Sequence, residues 1–307
     1  MPTAVIIGGT GLIGQKLINT LLKDGYEVKL LSRSKSKVDE IFDGKVIPVE
    51  WNGKNHEELV PLINGCNVIV NLAGHRIAVP WTKSNKEKIW NSRINTTAII
   101  AKAINSCNTP PKVFIQASAV GYYSHNSLEQ LTENSFKGPG FLSNLTDEWE
   151  QQALKCESKT RVVLIRTGIV LSNKGGFLPK ILTPIKYFVG TILGSGKQVI
   201  PWIHIHDHIS AIIYLIRIET ATGAFNLVSP NPVSLSEITK TAGKKINRPV
   251  FLKVPAFLLK LALRYMAKET LLADQTVEPK KLKELGFEWK FSDLDNALDD
   301  LLVRNTP

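Results

Sequence analysis

The chain is poor in cysteine. Among 307 residues only Cys66, Cys107 and Cys156 carry a thiol, and their spacing matches neither a metal-ligand pattern nor a disulfide framework. Reduced thiols in a cytoplasmic setting are the expectation. A basic-then-apolar leader is missing. The longest apolar stretch, VPAFLLKLALRYMA at 254–267, is broken by Lys260 and Arg264 and is too short to span a bilayer. It predicts an amphipathic helix and no membrane partner. Dense Lys/Arg tracts are absent too, although the net charge is +11, so the scattered cations predict a solvated basic surface and no nucleic-acid partner. There is no internal repeat and no low-complexity segment. With 43% hydrophobic and 21% charged residues, the composition is that of a globular chain large enough for one two-lobed unit or two domains.

The first half alternates short β-branched apolar runs with amphipathic helices. Strands are predicted at Val5–Ile7, Val28–Leu31, Val46–Glu50, Val68–Leu72, Val113–Ala117 and Arg161–Arg166. Helices are predicted at Leu12–Lys23, ended by Gly25, at about Lys86–Asn105 with Ser84 and Glu87 as a capping box, and at about Ser143–Lys155. This is the signature of an α/β chain: a Rossmann-type, doubly wound parallel sheet with helices on both faces. Beyond about residue 170 the alternation fades and glycine and proline increase. Ser234 with Glu237 and Ser292 with Asp295 read as helix starts, and Gly286 as a helix stop. The expected division is a nucleotide-binding domain over 1–170, receiving later segments near 200–230. A smaller, mainly helical substrate lobe over 171–307 follows.

Near the start lies AVIIGGTGLIGQKL, residues 4–17, in which Gly8, Gly11 and Gly14 stand between a strand and a helix. Gly8 permits a tight turn, Gly11 lets a pyrophosphate approach the backbone, and Gly14 permits close helix packing. The helix start directs free N–H groups at the phosphates. The alternative is a glycine turn without a ligand, and the strand–turn–helix context favours the site. At the end of the second strand, where NAD sites carry an acid, the chain has Ser32 and Arg33, followed by Lys35 and Lys37. A guanidinium grips a 2′-phosphate that a carboxylate would repel, so the expected cofactor is NADP(H).

GGTGLIG, VNLAG at 70–74, FIQASAVGYY at 114–123 and PWIHIHDHISAI at 201–212 resemble the motifs of an extended short-chain dehydrogenase/reductase. SRI at 92–94, FLSNLTDEWE at 141–150, RTGIVLS at 166–172 and LLADQTVEPKKLKELGFEW narrow the resemblance to the atypical, epimerase-like SDR39U1-type family, with a family-specific region at about 250–300. The resemblance covers nearly the whole chain. It implies a cofactor set of Gly8, Thr10, Gly11, Leu12, Ile13 and Gly14 at the turn, with Ser32 and Arg33 at the 2′-phosphate. To these it adds Leu72, Ala73 and Gly74 along the ribose, Arg93 on the long helix, Ser118 after the fifth strand and Val170 near the nicotinamide. Read alone, Leu72 and Val170 are core residues and Arg93 is a surface cation. The analogy also implies a homodimer through the helices near 86–105 and 143–155.

The departure from that family lies in the proton-transfer pair. Residues four positions after Tyr26, Tyr122, Tyr123, Tyr187, Tyr214 and Tyr265 are Leu30, Asn126, Ser127, Thr191, Ile218 and Glu269, so no Tyr-x-x-x-Lys pair exists. Ser118, at the end of the fifth strand, is the candidate to polarise a carbonyl. Tyr123 is a candidate phenol, weighed against a wall of aromatic packing, which is preferred. Glu150 is expected to cap or pair within its own helix. His204 and His206 would share one face of a strand, but no fourth ligand is visible, so no metal is expected and Asp207 is assigned as a helix N-cap. Two functions stay open: an NADP(H)-dependent oxidoreductase or epimerase acting on an unidentified small molecule, and a non-catalytic NADP(H)-binding redox sensor or partner-binding regulator.

Overall fold

The computed structural model describes residues 1–127 and 129–303. In chain order the elements are β1 (Thr3–Ile7), α1 (Leu12–Lys23), β2 (Glu27–Ser32), α2 (Lys35–Phe42), β3 (Ile47–Glu50), α3 (Val60–Ile63), β4 (Val68–Asn71), α4 (Lys83–Asn105), β5 (Val113–Ala119), α5 (Phe141–Leu154) and β6 (Arg161–Thr167). Then follow β7 (Ile169–Leu171), α6 (Leu178–Lys186), β8 (Gly190–Leu193), β9 (Val199–Ile200), β10 (Trp202–His204), α7 (Ile205–Arg217), β11 (Gly223–Leu227), β12 (Val233–Ser234) and α8 (Leu235–Lys245). The chain ends through β13 (Val250–Val254), α9 (Ala256–Leu263), α10 (Tyr265–Glu269), α11 (Lys280–Glu284) and α12 (Leu294–Leu302).

Seven strands form one parallel sheet in the order β11-β6-β5-β4-β1-β2-β3. The register runs Ile7 beside Leu31 on one side and beside Asn71 on the other. The central strands carry apolar runs because helices cover both faces, so Ala4, Val5, Ile6, Val68, Ile69 and Val70 are all fully buried. The expected Rossmann-type α/β architecture is what the chain adopts. The order reverses between β1 and β4, and in such sheets ligands bind outside the carboxyl ends of the strands at that switch point.

Two compact units result. One comprises Met1–Ser118, Leu145–Ile165 and Ile209–Ala224, and the other comprises Ala119–Asn144, Arg166–His208 and the chain from Phe225. Within the second unit, helices α6 and α8–α12 are joined by three two-stranded ladders, β7 with β10, β9 with β12 and β8 with β13, of which the sequence pattern signalled only a strand at His204. Strands of two to five residues are too short to show an alternation. Helix α6 forms in a stretch where glycine and proline increase. Its Pro179 lies in the first helical turn, where an N–H has no partner to lose.

Helix ends follow local chemistry, with two corrections. Ser234 caps α8 by accepting from Glu237 N–H, as expected. The long helix α4, however, begins at Lys83 with Thr82, not Ser84, as its cap, and Asp293, not Ser292, caps α12. In each case the extended residue just before the helix holds the cap, while the serine is displaced by one or two positions. Gly25 and Gly286 take positive φ just past α1 and α11, as stop signals do.

The turn after β1 is a packing device as well as a loop. A Cβ on Gly9 would lie 2.5 Å from Leu30 Cδ1 and 2.6 Å from Ile18 Cδ1. A Cβ on Gly14 would lie 2.5 Å from Gly9 Cα. Gly14 therefore lets α1 close onto the turn itself, at Gly9. Gly14→Ala gains about 1 kcal/mol of helix propensity but meets backbone that cannot yield, and overpacking of this kind costs about 1–3 kcal/mol. We expect net destabilisation and a lower midpoint in urea unfolding; an unchanged or raised midpoint would show that the turn relaxes.

Candidate functional site

The site is built at the switch point of the sheet. Gly8 has φ of 80°, which a side chain resists, and a Cβ there would lie 2.7 Å from Ala73 N and from Leu72 C. The turns after β1 and β4 thus touch through backbone alone. Ala73 N–H donates to Asn71 Oδ1 at 3.1 Å, and buried Asn71 donates through Nδ2 to Gln116 Oε1 and Thr97 Oγ1. Trp149 Nε1 donates to the same Thr97 hydroxyl at 2.8 Å. This network, which fixes the β4 turn from β5, α4 and α5, had no signal in the sequence. Its long-range bonds, Asn71–Thr97, Asn71–Gln116 and Thr97–Trp149, join residues 26, 45 and 52 positions apart.

Helix α1 starts at Leu12 with Gly11 as its N-cap, and no side chain caps it or places an acid in its first turn. A Cβ on Gly11 would have only Gly8 O near it, at 3.6 Å, so the approach to this helix start is open. Thr10, Leu12 and Ile13 are half-buried around it. Such a start suits an anion. At the end of β2, Ser32 Oγ accepts from Ser34 N–H, and Arg33 is exposed, with no partner among the described residues.

Arg93 is 9% exposed, so the surface reading of this residue is a correction: it is a buried cation. Its Nη1 donates to His75 O and Ile89 O, and its guanidinium lies 5.0 Å from the Trp149 ring centre. A Cβ on Gly74 would fall 2.9 Å from Arg93 Cζ. Burial pulls its pKa down to about 10, and no carboxylate contacts it among the described residues. Gly8, Gly11, Leu72, Ala73, Gly74 and Arg93 are thus gathered at one place. Val170 belongs to the second unit, on β7, paired with Ile203.

Ser118 is the last residue but one of β5 and is 5% exposed, and its hydroxyl donates to Glu150 Oε1 at 2.5 Å. Glu150 therefore reaches across from α5 to the strand, where pairing within its own helix was expected. A helix position shows which residues lie three or four places away, and the strand facing it is set by packing alone. Tyr123 is 1% exposed in the second unit. Its phenol donates to Asn226 Oδ1 at 2.7 Å and accepts from Arg166 Nη1 at 2.9 Å, and burial pushes its pKa up to about 12. Its proton is engaged inside the unit.

The histidine cluster differs from its expected form. His204 ends β10, but Ile205 already opens α7, so His204 and His206 do not alternate on one strand. His204 Nδ1 accepts from His206 N–H at 3.1 Å, which makes His204 the cap. Asp207 sits inside the first turn of α7 and is a correction in turn: its carboxylate accepts from Lys290 and Phe291 N–H. No group of three or more metal-ligating side chains gathers among the described residues.

A family model described as the NAD dependent epimerase/dehydratase family matches residues 4–227. The chain belongs to that family. A second model, described as a domain of unknown function, matches 254–301. An epimerase family protein of Staphylococcus aureus strain MRSA252 is 38% identical over 307 residues, which is 99% of this chain and all of the relative. The chloroplastic SDR39U1 homolog of Arabidopsis thaliana is 38% identical over 96% of this chain and 85% of its own. The crystal structure of human epimerase family protein SDR39U1 (isoform 2) with NADPH superposes with a TM-score of 0.88 at 29% identity, covering 99% of this chain and 100% of that one. UDP-glucose 4-epimerase of Thermotoga maritima has a TM-score of 0.80 at 16% identity, a likeness of fold.

One titration in this epimerase-family chain is open to direct test. His208 is buried with Nε2 3.0 Å from Thr167 Oγ1, and burial drives its pKa down from 6.5 to about 3. The folded ring stays neutral where the unfolded ring takes a proton, so stability is present above about pH 6.5 and is lost as pH falls toward 3. Between pH 6.5 and 5, above the carboxylate range, urea midpoints should fall with acidification and His208→Gln should flatten that slope. An equal slope in the variant would assign the loss to other groups.

Proposed function

We propose that this chain binds NADP(H) through the unit containing Gly8, Gly11 and Arg93, and transforms a small molecule by redox or epimerase chemistry without a Tyr-Lys pair. One observation carries the reading. At the switch point an uncapped helix start, a side-chain-free backbone contact and the acid-free buried cation Arg93 converge, with exposed Arg33 closing the second strand. These residues fit a dinucleotide with a 2′-phosphate: Gly11, Leu12 and Ile13 backbone at the pyrophosphate, Ser32 and Arg33 at the 2′-phosphate, and Leu72, Ala73 and Gly74 along the ribose. The NADPH in the human relative supports the choice.

NADP(H), when bound, supplies or takes a hydride. The proton is the task of Ser118 and Glu150. The Ser118 hydroxyl donates a hydrogen bond to Glu150, so its oxygen keeps lone pairs suited to accepting a proton from a substrate hydroxyl as its own proton passes to Glu150. In the reverse direction a protonated Glu150 donates to Ser118, which then donates to a carbonyl oxygen. Ser118 is therefore the contact and Glu150 the proton reservoir. The engaged phenol of Tyr123 favours a second reading, a redox-state sensor that binds NADP(H) without turnover.

Calorimetric titration with NADPH, NADP, NADH and NAD tests the cofactor. A charged hydrogen bond contributes about 1.5–3 kcal/mol, so Arg33→Ala should weaken NADPH about ten- to a hundredfold and leave NADH nearly unchanged. Absence of any dinucleotide binding by the folded protein would overturn the proposal. Glu150→Gln should keep NADPH affinity while lowering turnover of any substrate found by about a hundredfold or more; unchanged turnover removes Glu150 from the proton path, and a protein that binds but never turns over NADPH is the sensor.

A further inference from the structure

Large apolar side chains are exposed together on one part of the second unit. Tyr187, Phe188, Phe251, Phe257, Leu261 and Tyr265 range from 56% exposed for Phe188 to 78% for Leu261. The β8–β13 ladder links them. Tyr187 and Phe188 lead into β8, Leu252 and Lys253 pair with Thr191 and Ile192, and α9 follows β13 after Pro255 alone. Helix α9, AFLLKLAL, buries none of its residues. A helix this apolar normally packs into a core, and a globular surface seldom carries a contiguous apolar patch beyond roughly a few hundred Å² without a partner.

Along the chain the charge around this patch is of one sign, and of the cations that follow only Lys245 is matched by acids among the described residues, Asp295 and Asp299 of α12. Between Glu237 and Glu269 there is no acidic residue, while Lys240, Lys244, Lys245, Arg248, Lys253, Lys260, Arg264 and Lys268 all fall in that interval. Between Glu157 and Asp207 the acids are again missing, and exposed Lys186 lies there beside Tyr187. The Arg248 guanidinium sits 4.4 Å from the Phe188 ring centre. Glu269, the first acid after α9, is turned away and accepts from Phe141 and Leu142 N–H.

We propose that this face docks peripherally on a bilayer surface that carries anionic lipid headgroups. The occupant is chosen by charge. A two-fold contact between copies would bring the Lys253, Lys260 and Arg264 cations of both copies into one interface, where they repel. Acidic headgroups complement the same cations, and rings and leucines spread along a strand edge and a short helix suit the boundary between headgroups and acyl chains. No helix among the described residues is long and apolar enough to cross a membrane. The absence of a long apolar run in the sequence bears on spanning only, and leaves peripheral docking untouched. The proposal is independent of the cofactor reading.

The test is sedimentation of the full chain with phosphatidylcholine vesicles and with vesicles of phosphatidylcholine and phosphatidylglycerol, at low and high salt. The expected result is binding to the anionic vesicles only, reduced about tenfold or more by high salt, by Phe257→Ser/Leu261→Ser and by Lys253→Gln/Lys260→Gln. These side chains are exposed, so thermal unfolding of both double variants should match the parent protein and keep a loss of binding interpretable. Binding to neither vesicle overturns the proposal. So does a dimer, seen by light scattering and abolished by the Phe257/Leu261 variant in the absence of vesicle binding, because the face then joins two copies. Capture by an acidic protein with no vesicle binding overturns it as well.

Discussion

The backbone contact between the turn after β1 and the turn after β4 governs the rest of the first unit. Gly8 brings its Cα to where any Cβ would collide with Leu72 and Ala73, and Gly9 does the same toward Leu30 and Ile18. With those side chains absent, β1 and β4 run together to the carboxyl end of the sheet and α1 closes down on Gly9. The helix start then faces open space with its N–H groups uncapped. Asn71, Thr97, Gln116 and Trp149 hold the β4 turn in that position through buried hydrogen bonds, each of which would be costly to leave unmade. A side-chain-free contact braced by a polar network makes a rigid cradle, and a rigid cradle is what positioning an anion requires.

The chain's acids explain its basic surface. Several carboxylates are turned inward to satisfy backbone donors. Glu133 serves Asn226 N–H, Asp207 serves Lys290 and Phe291, and Glu269 serves Phe141 and Leu142. Glu150 holds the Ser118 hydroxyl. Acids used in this way neutralise little on the outside. Most cations, by contrast, remain at the surface, while Arg93 and Arg166 are buried, Arg93 with no carboxylate in contact among the described residues. The same arithmetic of charge therefore underlies both the dinucleotide cradle and the lipid-facing patch. In the first a buried guanidinium awaits an anion, and in the second an acid-free run of lysines borders exposed rings.

Much of the first unit could be read directly from the sequence. Helix α1 and the stop at Gly25 coincide with their predicted positions, and the predicted strands differ from β1–β6 by a residue or two at their ends. Patterns of this kind depend on spacing along the chain, which is local. Short elements were not legible: α2 is a charged eight-residue helix, and the paired strands of the second unit are two to five residues long. The same limit applied to the site. The glycine cradle and Arg33 were visible as a motif, whereas Arg93 became a buried cation and Glu150 a partner of Ser118 only when α4 and α5 had been packed against their neighbours.

By itself the sequence determined the α/β alternation, the glycine turn, the positive charge at the end of β2 and the missing Tyr-Lys pair, since each is a matter of residue type at a given spacing. Only the tertiary structure decided what those residues meet. The hydroxyl of Ser118 finds a carboxylate 32 residues away, and the phenol of Tyr123 finds an amide 103 residues away. Those pairings follow from which faces the core leaves adjacent. The physical reason is that hydrogen bonding along the chain is set by near neighbours, while desolvation acts on whatever packing brings together.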